Sequence, residues 1–529
     1  MKKILFSFIL FIIFPLFAQY QNVKISSVIF GEEWVSINPK NTNQVVVGVI
    51  GNYPPNNSIM GYYYSTNSGL NWAGGPVLST LAEPGSDPVM LVDTAGYFYY
   101  ICCANWGVPG PNLDKFLCFK STNGGMNWDN GTLFAQLYPQ MDDMPMGCVD
   151  FSNSINRNNI YVTWTLYDSM LSHNPLDSSY VYFTSSTNSG LSFTTPKRVS
   201  KIAGHGYYDN TCPEGPVPAA GSNGEVYVCF PHSEQVFFNR STDAGNTWLN
   251  NDVLVSNQPG GWMSIHSPVI ACDLSNSPYR GNVYIVFSDL RNGDRDIRFT
   301  KSTNRGDNWS AVIRVNDDSP GHLQELPWIC VDNVTGYIWI VFYDTRNYGA
   351  STNADTYVAR STDGGNTFQN SKISSTYTSV AGWLGDYIGI SAYNNKVRPV
   401  WTRLVSGGIN ELWTAIIDTF VIGIKPLSNE IPANFSLYQN YPNPFNPISK
   451  IKFSIPLLPL GKGEVEGVGF VILKIYDVLG KEIITLVNEN LSPGTYEVVF
   501  DGTNYPSGVY FYKLVAGNYT DSKKLILLK

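Results

Sequence analysis

STNSGLNW, at residues 65–72, returns as STNGGMNW at 121–128, STNSGLSF at 186–193, STDAGNTW at 241–248, STNRGDNW at 302–309 and STDGGNTF at 361–368. Six copies spaced 55 to 65 residues apart mean that one folding unit has been repeated, and the architecture follows from that unit. Each copy follows an aromatic, β-branched run such as Gly61-Tyr62-Tyr63-Tyr64 or Tyr357-Val358-Ala359-Arg360 and precedes another short apolar stretch. It is therefore a hairpin turn between antiparallel strands. Its third residue (Asn67, Asn123, Asn188, Asp243, Asn304, Asp363) is expected to accept hydrogen bonds from backbone N–H groups two residues on. The glycine two positions later supplies a positive φ. The closing aromatic (Trp72, Trp128, Phe193, Trp248, Trp309, Phe368) is a large apolar body at a fixed offset, suited to plugging the seam against a neighbouring unit.

A second recurring phrase opens the units: Asp87-Pro88-Val89-Met90-Leu91-Val92-Asp93, Met144-Pro145-Met146-Gly147-Cys148-Val149-Asp150, Gly215-Pro216-Val217-Pro218, Ser267-Pro268-Val269-Ile270-Ala271-Cys272-Asp273 and Leu326-Pro327-Trp328-Ile329-Cys330-Val331-Asp332. Proline at a strand's first position costs no ladder bond, and the apolar run after it reads as a strand buried on both faces. Residues 34–38 and 44–50 supply an opening unit, and 387–392, 397–402 and 412–417 supply a last one that lacks a strand. The strand-like segment 22–30, NVKISSVIF, is expected to join that last sheet and close a ring, which removes an exposed edge.

The octapeptide pattern S-T-[N/D]-x-G-x-x-[W/F] resembles the Asp-box (BNR-type) repeat of sialidase-like β-propellers, over residues 30–420. The resemblance implies structural boxes lying on the face away from any active site. The unit count gives seven blades, with six as the alternative, and sialidase enzymes themselves are six-bladed. From Lys425 the composition changes to a Pro- and Asn-rich link and about a hundred residues of alternating strands. The phrases NYPNPFNP (440–447), IYDVLGKE (475–482), PGTY (493–496), SGVYFYKL (507–514) and the tail KKLILLK (523–529) look like the type A C-terminal sorting domain of the type IX secretion system, a small immunoglobulin-like sandwich. The fold class expected is all-β: a β-propeller at 19–420, a linker at 421–434 and the sandwich at 435–529. The insertion LLPLGKGEVEGVG (457–469) reads as a floppy loop.

Met1-Lys2-Lys3, the apolar run 4–17 and Ala18-Gln19 have the form of a secretory signal peptide spanning residues 1–18. The resemblances together imply export across both membranes, with the type IX machinery as a partner. Removing Lys2 and Lys3 takes the formal charge from −8 to −10, a poor balance for nucleic acid or anionic membrane, and no later stretch is long and apolar enough to span a bilayer. Of the eight cysteines, Cys148, Cys229, Cys272 and Cys330 sit where strands need small apolar residues; Cys102 or Cys103 with Cys118 is the pair that a bridge would use. No cofactor is expected. No CxxC or His-rich cluster points to a metal, and the five histidines are scattered.

Ligands of propellers meet the face where the innermost strands begin. Asp143, Glu214, His266 and Glu325 stand two residues before the opening prolines, Asp87 stands one before its own, and Glu33 and Asp386 occupy the comparable entries. Such a ring repels itself unless cations, arginines or water meet it, so its pKa values are expected to rise or a counter-charge to be supplied. Arg291, Arg346 and Arg403 lie in loops that would supply it, or else each Asp-x-Arg is a local ion pair. Two functions follow. One is an exported binding module for a glycan or surface polymer. The other is a sialidase-like glycoside hydrolase with Tyr387 as nucleophile, Glu214 and Asp143 as its carboxylates and an arginine clamp. The aromatic-Arg-Ile-Pro phrase of sialidases is absent, which favours binding.

Overall fold

A computed structural model describes residues 20–53, 58–105, 115–137, 140–207, 209–261, 267–349, 352–405, 409–418, 425–428, 431–457, 469–491, 493–502 and 505–529. The expected signal peptide and most of the 457–469 insertion lie outside them. All regular elements described are β-strands, and no described helix is long and apolar enough to cross a membrane. The described strands fall into two compact units, Tyr20–Phe420 and Val421–Lys529.

In the larger unit the first strands of successive sheets lie side by side: Gln21–Ile37, Val89–Val92, Met141–Val149, Val217–Ala220, Val269–Cys272, Gln324–Val331 and Gly389–Tyr393. The last of these lies against the first, so the seven form a closed ring around one cavity of about 220 Å³, to whose wall each contributes. Every side chain of Val89–Val92 and Val217–Ala220 is buried, as continuous apolar runs predict. Outward from each first strand the chain folds back in antiparallel hairpins; Val217–Ala220, Val226–His232, Gln235–Ser241 and Val253–Asn257, in that order, make one four-stranded sheet.

Closure depends on one 17-residue strand. The first half of Gln21–Ile37 pairs antiparallel with Ile409–Ile416, from Gln21 opposite Ile416 to Ile29 opposite Asn410. Its second half pairs with Val45–Tyr53, from Ile29 opposite Gly51 to Ile37 opposite Val45. The expected strand 22–30 and the opening unit are thus one continuous element. It welds the first and last sheets into a seven-stranded whole, order Gly389–Tyr393, Lys396–Val405, Ile409–Ile416, Gln21–Ile37, Val45–Tyr53, Ser58–Ser65, Ala73–Pro76.

Each octapeptide turns on a serine as well as on the Asn or Asp. The serine Oγ accepts a hydrogen bond from the glycine N–H four residues on at 2.8–3.0 Å in all six copies. It donates to the Asn or Asp Oδ1 two residues on, as Ser65 does to Asn67 (2.9 Å) and Ser241 to Asp243 (2.6 Å). That same Oδ1 accepts from the backbone N–H four residues on, 2.8–3.0 Å in every copy. The reach is four residues rather than the expected two, because the intervening glycine bends the chain back toward the side chain. That glycine has φ of +76° to +89°. It also abuts the preceding sheet: a Cβ would lie 2.0 Å from Phe183 at Gly245, 2.2 Å from Phe238 at Gly306 and 2.4 Å from Phe299 at Gly365. The closing aromatics meet those same rings edge-on, Trp248 on Phe183 at 5.1 Å, Trp309 on Phe238 at 5.3 Å and Phe368 on Phe299 at 4.9 Å.

The C-terminal unit consists of two four-stranded antiparallel sheets. One contains Lys425–Ser428, Gly494–Asp501, Ile448–Ile455 and Ser436–Leu437; the other Glu482–Leu491, Gly469–Tyr476, Gly508–Ala516 and Tyr519–Leu527. Lys425–Ser428 lies in the stretch expected to be linker, yet its backbone pairs with Gly494–Asp501 at the edge of that sheet. The NYPNPFNP phrase ties the sheets together. Phe445, 2% exposed, bridges to the last strand through its N–H to Ile526 and its carbonyl to Leu528, both 2.9 Å. The Tyr512 hydroxyl accepts from Asn440 N–H and donates to the Tyr438 carbonyl, both 2.8 Å.

All eight cysteines are thiols. The bridge considered for Cys102 or Cys103 with Cys118 does not form: Cys102 pairs with Leu117, and Cys118 with Ile101. Burial pushes their ionisation well above the usual thiol range, so they behave as small apolar fillers.

The box glycines yield a comparison. Gly306→Ala meets both a left-handed backbone and the Phe238 ring, whereas Gly293, φ +98°, has open space around its missing Cβ. The first substitution is expected to cost about 3 kcal/mol or more and the second about 1 kcal/mol in urea unfolding; equal losses would mean that the seam contact contributes nothing.

Candidate functional site

The face where the first strands begin is shaped by a repeated irregularity. Gln21–Ile37 shifts register between Gly31 and Trp34, Met141–Val149 between Asp143 and Met146, and Gln324–Val331 between Glu325 and Trp328. Each is a bulge holding a residue with positive φ: Glu32 at +57°, Met144 at +50° and Leu326 at +52°. Asp87 (+53°) and Gly215 (+67°) take the same conformation directly before their prolines. Because a bulge breaks the in-out alternation, the neighbours Glu32 and Glu33 both turn inward, at 5% and 0% exposure. Glu32 was not singled out above; the doubled Glu ahead of a strand was its only sequence signal.

The expected acidic ring divides into separate environments. Asp87, Asp143 and Asp386 gather around Glu32. Burial first, then the charges of Asp87, Asp386 and Asp143, hold the Glu32 carboxyl well above the ordinary range. Burial pushes Asp87 up to about 6, against a hydrogen bond from Ser86 at 2.6 Å. Glu33 points elsewhere: its Oε2 accepts from Thr402 Oγ1 at 2.8 Å, and burial pushes it up to about 8. Glu325 is raised by burial, with Arg295 opposing. Glu214 is buried and its carbonyl accepts from Ser267 Oγ at 2.8 Å. His266 lies outside the described residues.

Tyr387 occupies the environment of a packing residue. It is 3% exposed, and its hydroxyl donates to the Pro88 carbonyl at 3.0 Å. Its ring meets Trp34 at 6.0 Å and Trp328 at 5.7 Å, while Trp34 and Trp328 meet edge-on at 4.7 Å. Burial holds its hydroxyl well above the usual tyrosine range, the reverse of what an activated nucleophile needs. A cavity beside it, lined also by Met144 and Met146, measures about 10 Å³, room for about one water.

The arginines are bound internally. Arg291 pairs with Asp289 at 2.5 Å and Arg346 with Asp344 at 2.7 Å, each two residues back, which is the local-pair reading of Asp-x-Arg. These pairs belong to a larger network: Arg298 bridges Asp289 (3.0 Å) and Asp296 (2.6 Å), Arg314 bridges Asp296 and Asp318 (both 2.7 Å), and Arg346 reaches Asp317 at 2.6 Å. Arg403 pairs with Glu411 at 3.1 Å. Among the described residues the partners of these three arginines are carboxylates and loop groups, and the partner of the Tyr387 hydroxyl is the Pro88 carbonyl.

The opposite end of the axis is open. A cavity of about 310 Å³ shares Phe151, Leu274, Asn333 and Tyr393 with the axial one and is further lined by Pro39, Lys40, Thr94, Asn153, Arg157, Asn276 and Arg280. Three of these side chains are cationic and none is a carboxylate. Two turns supply most of them, through a repeated D-x-S-N-S-x-x-R phrase at 150–157 and 273–280 that sequence reading passed over. In each turn the Asp caps the loop, Asp150 accepting from Ser152 N–H at 2.7 Å and Asp273 from Ser275 N–H at 2.8 Å. The arginine then donates to loop carbonyls, Arg157 to Ser152 at 3.0 Å and Arg280 to Ser275 at 2.8 Å. Lys40, Asn153 and Asn276 remain exposed.

Residues 439–528 match the family described as the secretion system C-terminal sorting domain. The chain is accordingly exported to the cell surface or beyond by the type IX system. A search of curated proteins finds no match. Among solved structures, a PL25 polysaccharide lyase, an ulvan lyase bound to -[GlcA(1-4)Rha3S]-, is similar at 13% identity and TM-score 0.49, over 75% of this chain and 96% of that one. The NanB sialidase from Streptococcus pneumoniae follows at 12% identity and TM-score 0.38 (77% and 71%), and a Trypanosoma rangeli sialidase at 10% and 0.39 (86% and 85%).

Two predictions follow from the charges. Asp296→Ala leaves Arg298 and Arg314 short of a buried partner and is expected to cost about 3–5 kcal/mol in urea unfolding, whereas Asp317→Ala, whose side chain is 59% exposed, should cost under about 1 kcal/mol. Glu33 carries the second. Its folded pKa of about 8 exceeds the unfolded value near 4.3, so its neutral form contributes stability below about pH 4 that is lost as pH rises through about 8. Glu33→Gln should flatten the pH–stability curve by up to about 1.4 kcal/mol per pH unit between those limits; an unchanged curve would mean Glu33 is ionised throughout.

Proposed function

We propose that this exported chain is a seven-bladed β-propeller followed by an immunoglobulin-like sorting sandwich, and that the propeller binds an acidic glycan or surface polymer without cleaving it. The blade number is supported by the ring of seven first strands and by the closing strand shared between the first and last sheets. The observation that carries the binding reading is the contrast between the two ends of the axis. At one end Tyr387 is bonded to a carbonyl, and Arg291, Arg346 and Arg403 are each held by carboxylates. At the other, Lys40, Arg157 and Arg280 line an accessible cavity beside three asparagines and a threonine. Cations with amide and hydroxyl groups suit a polymer carrying both carboxylate or sulfate and hydroxyl groups.

Binding is measured with immobilised polysaccharides, sulfated or uronic-acid-rich against neutral. The acidic ones should be retained, more weakly at higher salt. Lys40→Glu and Asn276→Asp are exposed changes outside the arginine staples, and each should weaken retention about tenfold, or about 1.4 kcal/mol. Indifference to charge on both sides would defeat the proposal. So would hydrolysis of a fluorogenic sialoside or other glycoside that Tyr387→Phe abolishes.

A further inference from the structure

The axial cavity is a pit with one way in. All seven first strands contribute to its wall, and at its floor the rings of Trp34 and Trp328 meet edge-on at 4.7 Å, with Tyr387 behind them, 5.7 Å from Trp328. At the other end lies a neck of Phe151, Leu274, Asn333 and Tyr393, which also line the cavity edged by Lys40, Arg157 and Arg280. Two residues beyond Trp34 and Trp328 the side chains are short, Ser36 and Cys330. So are their counterparts Cys148, Ala219, Ala271 and Ser391, and about 220 Å³ stays open between floor and neck.

The lining is mixed rather than purely apolar. Val217–Ala220, Val269–Cys272 and Gln324–Val331 each have a ladder on one side only, so alternate N–H and C=O groups of their free edges face the axis. An alkyl chain would leave those backbone groups without partners. A sugar ring meets all of the lining: its hydroxyls exchange hydrogen bonds with the backbone edges, and its C–H faces pack on the aromatic rings of floor and neck. A blind pit also sets direction. A polymer can lie across an open groove with both ends free, but only its terminus can enter a closed one.

On the basis of the acidic-glycan binding proposed above, we infer that the propeller grips its polymer by the chain end. The terminal ring occupies the axial cavity against Trp34 and Trp328, and the acidic groups of the following units meet Lys40, Arg157 and Arg280. End-on capture gives one protein per polymer chain whatever its length, whereas side-on binding fills a chain in proportion to its length.

The test uses the full exported chain with size-fractionated chondroitin sulfate and polygalacturonate, the stoichiometry being read by sedimentation and titration calorimetry. Short and long fractions should each take one protein per polymer chain. Mechanical shearing of a fixed mass of polymer, which multiplies its ends, should raise the amount of protein bound in the same proportion. Ala271→Phe, which puts a ring into the axial cavity, should weaken binding about tenfold or more while circular dichroism stays that of the parent. If neither polymer is retained, the acidic-glycan reading fails and the chain-end site falls with it. If the polymers are retained but long chains take proteins in proportion to their length, or if folded Ala271→Phe binds as the parent does, the glycan reading stands and the chain-end site is wrong.

Discussion

The hydrogen bond from a glycine N–H to a serine Oγ four residues back, made six times, is the contact on which the rest of the large unit depends. A single four-stranded sheet has too little apolar surface to stand alone; it must bury one face against its neighbour. The serine bond fixes the turn so that its glycine, bare of a side chain, presses on the preceding sheet, in three copies on the Phe183, Phe238 and Phe299 rings. In those three the Trp or Phe three residues later meets the same ring edge-on. Local turn chemistry and packing between sheets are thus one device, and its repetition sets the angular relation between successive sheets.

That device was legible in the chain because turn, glycine and aromatic all recur at fixed offsets. The closing strand was legible too, since NVKISSVIF had β character and the last unit lacked a strand. What escaped reading depended on backbone irregularity or on distant groups. Glu32 is hidden by its bulge, for alternation would send one member of the Glu32-Glu33 pair outward, and only a positive φ brings both inside. Arg291 and Arg346 could be read as a clamp or as local pairs, and nothing short of coordinates shows Arg298 and Arg314 completing the carboxylate network around them. The aromatic plug joins Trp34 and Trp328, from two separate strands, to Tyr387, from the stretch before a third, so no window of sequence contains it.

The two ends of the axis differ in how they treat charge. At the entry end acids and bases are buried, and burial raises the carboxyl pKa values of Glu32, Glu33, Asp87 and Glu325. Such groups cost stability rather than contribute it unless each is matched, and the Arg–Asp network is one form of matching. At the other end the carboxylates are consumed by their own turns, Asp150 and Asp273 capping backbone N–H groups, while the cations are left facing the cavity. Segregation of that kind produces a local field far stronger than the mildly acidic total would indicate.

The strand that welds the first and last sheets also imposes an order of events. Residues 21–29 find their partners only when residues 410–416 are available, nearly four hundred positions later, so this pairing closes the longest loop in the unit. Until then the early half of the strand is an unpaired edge, so the ring of sheets can close only after the last of them has formed.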